Sequence, residues 1–128
     1  MDIPDLLWKY TLSIPKVANH RIGAVIVNKK HNRIISFGRN RYKTHPLQAR
    51  YGHYPFLHAE IDAIRLAKNE DIENCSIWVC RIKGSANTPT MELGLARPCK
   101  CCMDALIDYN LKDIYYSNHL QSYSRMFL

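Results

Sequence analysis

The chain has 128 residues, 47% of them hydrophobic, and a formal net charge of +7. That length and apolar content fit one domain, residues 1–128, with a core of its own, and no apolar run approaches the ~20 residues of a membrane-spanning helix, so no membrane partner is expected. Its acidic, proline-containing start does not read as a signal peptide, and five cysteines, an odd number, read as reduced thiols, so a soluble cytoplasmic protein is expected.

Ile3, Leu6, Leu7 and Tyr10 recur at helical spacing, and Pro15 ends or kinks that first helix. Residues 22–27 are nearly all apolar, as a central strand covered on both faces must be. The turn Lys29-Lys30-His31-Asn32 leads to a second strand at 33–37, close enough to pair antiparallel. From 44 to 57, two prolines and many polar or aromatic residues predict an ordered loop that delivers the chain to His58. Residues 58–68 place Ala59, Ala63, Ile64 and Ala67 on one helical stripe, with Asp62, Arg65 and Lys68 outside it. A strand at 76–82 follows, where Cys75 and Cys80 serve as small hydrophobes. Pro98 suits the start of a third helix, whose buried side is Cys102, Met103, Leu106 and Tyr109. Asp113–Ser117 reads as a fourth strand, and residues 123–128 as a short strand hairpinned onto it. This order predicts an α/β fold of three layers, α/β/α, around a mixed four- to five-stranded sheet with right-handed crossovers between its later strands. Residues 58 and 98 then stand at helix N-termini beyond strand ends, where such sheets place their ligands.

Two motifs at those positions carry the chemistry: His58-Ala59-Glu60 and Pro98-Cys99-Lys100-Cys101-Cys102. They supply one imidazole, two thiols at C-x-x-C spacing and a carboxylate beside the imidazole. Three N/S ligands leave the fourth tetrahedral position of a zinc ion open for water, and the carboxylate can move that water's protons. His58, Cys99 and Cys102 are therefore expected to hold one Zn2+ per chain, with Glu60 as the catalytic acid and base. Cys99 and Cys102 are i and i+3, so both sulfurs lie on one face of a helix's opening turn, and the helix N-terminus favours thiolates. Lys100 and Cys101 point elsewhere. The alternative is a four-ligand structural zinc using all three sulfurs, which would close the open position and leave Glu60 without a role. His-x-Glu alone would read as a solvated pair on an amphipathic helix; joined to Pro-Cys-x-x-Cys it does not.

The pair of motifs resembles the H-x-E…P-C-x-x-C pattern of the cytidine/deoxycytidylate deaminase superfamily of zinc-dependent nucleobase deaminases. The similarity covers residues 23–117, and Gly38-Arg39-Asn40 resembles the family's shorter G-x-N element, which contacts the sugar or base. This resemblance implies a cytidine deaminase-like fold and hydrolytic deamination of a cytosine nucleotide such as dCMP or CMP. Zinc would lower the pKa of its water, and Glu60 would carry that water's proton to ring N3 as hydroxide attacks C4, then deliver a proton to the departing amine as the tetrahedral intermediate collapses. It also implies Asn40 and Ala59 at the substrate, and a homo-oligomer. Tyr42 stands where nucleoside-type enzymes place a sugar-binding Glu, which argues against free cytidine. Residues 83–90 look like an insertion near the site.

Arg39, Arg41, Lys43 and Arg50 form a basic rim before the first motif, and the positive charge suits either solubility or a phosphate-bearing substrate. Tyr51, Tyr54 and Phe56 can stack on a base or anchor their loop. Arg39 and Tyr54 thus join Asn40 and Ala59 in the expected substrate-binding set. His45 and His53 can line the pocket; His20, His31 and His119 are expected to face solvent. Two other classes compete with a mononucleotide enzyme. One is a deaminase of cytosine or adenine within single-stranded DNA or RNA, including the tRNA adenosine type, which shares both motifs. The other is a non-enzymatic zinc domain that binds nucleic acid, which has no use for a carboxylate at Glu60.

Overall fold

The computed structural model describes residues 1–52, 55–68, 70–84 and 91–128. In chain order the elements are α1 (Ile3–Ser13), β1 (Arg21–Asn28), β2 (Arg33–Arg39), α2 (Pro46–Tyr51), α3 (Ala59–Ala67), β3 (Ser76–Lys83), β4 (Glu92–Gly94), α4 (Lys100–Asp108), β5 (Asp113–Ser117) and β6 (Tyr123–Phe127). Two of these depart from the sequence expectation. The stretch read as a loop contains α2, because Pro46 occupies the helix's opening turn and the His45 ring accepts from the Leu47 N–H at 3.0 Å. A proline that argues for a loop is, at that position, pre-organised for a helix. The three-residue β4 adds a strand after the expected insertion, of which residues 85–90 lie outside the described residues.

The strands form one mixed sheet in the order β2-β1-β3-β5-β6, with β4 attached to β3 beside that path. β1 pairs antiparallel with β2 and β3, β3 runs parallel to β5, and β5 pairs antiparallel with β6. A parallel pair needs a crossover, and α4 supplies it. β3 outruns its parallel partner: Ser76 to Val79 pair with β5, whereas Arg81, Ile82 and Lys83 pair with Gly94, Leu93 and Glu92. Thus β4 takes over the lane where β5 ends.

Alternation along the central strands sorts the core into two layers. On one face Leu7 of α1 packs against Val25, Val27, Cys80 and Ile82. On the other, Ile61 and Ala63 of α3 and Ala105 and Leu106 of α4 pack with Ala24, Ile26, Ile77, Val79 and Ile114. The result is the expected three-layer α/β/α arrangement. No described helix is long and apolar enough to cross a membrane.

Two contacts fix α3 against β2. A Cβ on Gly38 would meet the Ala59 carbonyl oxygen and the Ala63 nitrogen at 2.3 Å, so only glycine permits this approach. Gly38→Ala is expected to destabilise the protein by at least the roughly 1–3 kcal/mol of an overpacked core, seen as a lower Tm; an unchanged Tm contradicts this packing. The second contact corrects the helical-stripe expectation, which left Asp62 in solvent. Asp62 is fully buried and accepts from the Arg39 N–H at 2.9 Å, Arg41 Nε at 3.0 Å and Arg65 Nε at 2.7 Å. It faces the end of β2, where three donors compensate a charge that would otherwise be costly to bury.

Candidate active site

The N-termini of α3 and α4 meet, and each begins with a residue from one motif. His58 is the N-cap of α3 and Cys99 the N-cap of α4, both in extended conformation, and neither side chain caps its own helix. Pro98 therefore precedes the cap rather than opening the helix, and the expected i, i+3 relation of Cys99 and Cys102 spans the cap and the first turn. The ligand atoms of His58, Cys99 and Cys102 all lie within 4.8 Å of one another. His58 Nδ1 is 3.3 Å from the Cys102 sulfur and 3.6 Å from that of Cys99. Tetrahedral Zn–N and Zn–S bonds of about 2.0–2.3 Å place ligand atoms roughly 3.5 Å apart, so both the donor set and its spacing fit zinc.

The thiols and the imidazole share protons when no cation is present. A hydrogen bond from the Cys102 thiol, helped by His58, holds the Cys99 thiol down at about 3. Cys102, which donates that bond and is buried, is pushed up, and His58 is raised chiefly by its bond to Cys99. A divalent cation would release the remaining thiol proton on binding. Glu60 is buried, and desolvation raises its carboxyl above the usual carboxylate range.

Cys101 is buried but turns to α2, where its sulfur accepts from Gln48 Nε2 at 3.4 Å. Gln48, fully buried, accepts the His58 N–H on its Oε1 at 3.0 Å. One glutamine thus ties the spare cysteine to the backbone of the candidate ligand. The sequence offered no signal for this residue, which falls inside the stretch read as a loop. Gln48→Leu removes the Oε1 acceptor of the His58 N–H, at an expected cost of about 1–3 kcal/mol in chemical denaturation; wild-type stability in this variant contradicts the bridge.

A cavity of about 480 Å³ opens onto this centre, and Glu60, His58, Cys99, Asn40 and Ala59 all line it. Asn40 is largely committed to structure: its Oδ1 accepts from the Ile22 N–H at 3.1 Å and its Nδ2 donates to the His20 carbonyl at 3.0 Å. Tyr42 pins the same 17–20 turn, its hydroxyl accepting from the Ala18 N–H at 3.2 Å, and stands edge-on to Phe56 in the cavity wall. Both central residues of that turn, Ala18 and Asn19, have positive φ, of 50° and 66°.

The expected basic rim lies elsewhere. Arg39 is not among the described residues lining this cavity, and Arg41 is paired with Asp62. Lys43 and His45 line a separate hollow of about 320 Å³, and Arg50 borders another. Tyr51 is an anchor, its hydroxyl donating to Asp108 at 2.8 Å. Tyr54 and His53 lie outside the described residues. His31 and His119 face solvent, whereas His20, also exposed, lines the cavity together with Arg81 and Arg97. These two arginines were missed. The available signal was Arg81 on the Ile77, Val79, Arg81 alternation, which puts a charge on the face that α3 and α4 cover.

Residues 8–118 match the family model of the cytidine and deoxycytidylate deaminase zinc-binding region. A relative in Aliivibrio fischeri, an uncharacterized deaminase in the luxG 3′ region, is 33% identical over 103 residues, with 74% of this chain and 56% of that protein covered. The chain thus spans little more than half the length of that relative. Cytidine deaminase from Burkholderia pseudomallei superposes with a TM-score of 0.66 at 16% identity, over 99% of this chain and 93% of that one. The apo dCMP deaminase of cyanophage S-TIM5 gives 0.60 at 18% identity, over 92% and 86%. The same phage enzyme in complex with dCMP and dUMP gives 0.58 at 16%, over 91% and 82%. At these identities the superpositions establish a shared fold. Because the family model spans most of the sequence, including both motifs that converge at the cavity, the chain belongs to the cytidine and deoxycytidylate deaminase family.

Proposed function

We propose that the protein is a zinc-dependent hydrolase that converts a cytosine nucleotide, dCMP or CMP, to the corresponding uracil nucleotide. The observation that carries this reading is the meeting of His58, Cys99 and Cys102 beside a buried carboxylate, Glu60, at one cavity. Zinc held by those three residues would supply a Lewis acid strong enough to let water ionise near neutral pH.

The remaining chemistry belongs to the chain. Glu60 accepts a proton from the attacking water and transfers it to ring N3, while hydroxide adds to C4. It then takes the proton of the C4 hydroxyl and gives it to the exocyclic amine; the C4–N4 bond breaks as the C4 oxygen becomes a carbonyl, and ammonia leaves. Water and cytosine thus become uracil and ammonia. Burial raises the proton affinity of Glu60, which suits a group that must hold a proton between two transfers. Asn40 and Ala59 border the space beside it and would contact the nucleotide, Asn40 through what its two backbone bonds leave uncommitted. Arg39 is dropped from that set in favour of the cations that line the cavity.

The phage dCMP deaminase with dCMP and dUMP bound supports a mononucleotide as the class to test first. Tyr42, used here to pin a turn, supports the exclusion of a nucleoside-type sugar contact. Zinc-loaded protein incubated with cytidine, deoxycytidine, CMP, dCMP and single-stranded oligonucleotides, with products read by mass, tests the reading. Conversion of dCMP or CMP is the expected result. Turnover confined to an oligonucleotide, or to no compound in the panel, overturns it.

A further inference from the structure

Two arginines that line the cavity have no acidic partner among the described residues. Arg33, Arg41, Arg65 and Arg125 each form an ion pair with a carboxylate, but among the described residues neither Arg81 nor Arg97 does, and both line the cavity. Glu60 is the one carboxylate among the described lining residues.

Arg81 is held in place with care that a solvated arginine does not need. Its N–H donates to Ser117 Oγ at 3.0 Å, and that hydroxyl donates to the Gly94 carbonyl at 2.7 Å, at the junction where β4 succeeds β5. The Ser117 carbonyl in turn accepts from the Ala96 N–H at 2.9 Å, which sets the chain leading into Arg97. The Arg81 stem lies over Gly94, where a Cβ would come within 3.3 Å of Cδ. At the far end, Arg81 Nη2 sits 3.1 Å from His20 Nδ1, while Nε is buried and has no partner among the described residues. A buried guanidinium nitrogen without an acceptor is costly, and it is repaid when an anion arrives.

We propose that Arg81 and Arg97, with His20 orienting Arg81, form the subsite for the 5′-phosphate of the substrate, and that this subsite selects a nucleotide over a nucleoside. The inference rests on the deaminase reading of the same cavity. Two guanidiniums without counter-ions match a dianionic terminal phosphate, and planar donors engage it with charge-assisted hydrogen bonds. A phosphodiester within a polynucleotide carries a single charge and has chain on both sides.

Calorimetric titration of the zinc-loaded protein with dUMP, deoxyuridine and a single-stranded oligonucleotide tests this without turnover. The wild type is expected to prefer dUMP. Arg81→Gln and Arg97→Gln should each lower the ratio of dUMP to deoxyuridine affinity by about tenfold, as loss of a hydrogen bond to a charged group does. Arg97 is exposed, so its variant keeps the test available if Arg81→Gln fails to fold. A ratio unmoved in the folded variants, or an oligonucleotide bound more tightly than dUMP by the wild type, overturns the subsite. If the wild type binds dUMP through these arginines yet deaminates no cytosine compound, the subsite stands and the reaction falls. If dCMP is deaminated and the ratio does not move, the subsite falls alone.

Discussion

Glu60→Gln is expected to lower kcat for dCMP by about 10²–10⁴ while zinc content and fold persist. Gln keeps the size of the side chain and a hydrogen-bonding end but neither accepts nor returns the proton that each half of the reaction moves. Because burial already raises the Glu60 carboxyl, a neutral amide in its place creates no new desolvation cost. Steady-state kinetics beside metal analysis on the same preparation separate the roles. Activity within a few-fold of wild type would rule out proton transfer by Glu60, and loss of zinc would make it a ligand instead.

The second large effect concerns the metal. His58→Ala, Cys99→Ala and Cys102→Ala should each lose zinc, with a penalty greater than the ~10–100-fold that changes outside the ligand shell produce. Because metal binding is linked to folding, their Tm should fall as well. Cys101→Ala should retain one zinc per chain, since its sulfur accepts from Gln48 and Cys101 is not among the three candidate ligands His58, Cys99 and Cys102. Zinc loss in Cys101→Ala as complete as in Cys99→Ala would contradict the open, three-ligand site and restore the structural alternative.

Local signals made the cluster of candidate ligands and the fold class legible. His-x-Glu and Pro-Cys-x-x-Cys each sit at a helix start, and side-chain period sorted the strands. What stayed hidden depends on contacts between distant segments. Asp62 reads as a solvated charge on a helix because nothing local announces that the Arg39 N–H, Arg41 and Arg65 converge on it. Those same contacts remove Arg41 from the supposed basic rim, so clustering in sequence misplaced the cations. The arginines that line the cavity, Arg81 and Arg97, are far apart in the chain and come together through β4, a strand too short to predict. Gln48 was invisible for a similar reason: it acts through the backbone of His58 and the sulfur of Cys101.

The central claim is hydrolysis at C4 of a cytosine ring. Zinc-loaded protein incubated with dCMP, and separately with CMP, in water enriched in the heavy oxygen isotope should with at least one of them release ammonia and yield a uracil nucleotide whose ring carries the heavy oxygen at C4, heavier by mass than the product formed in ordinary water. Ammonia release without label in the ring, or dCMP and CMP both recovered intact while the protein holds its zinc, would contradict it.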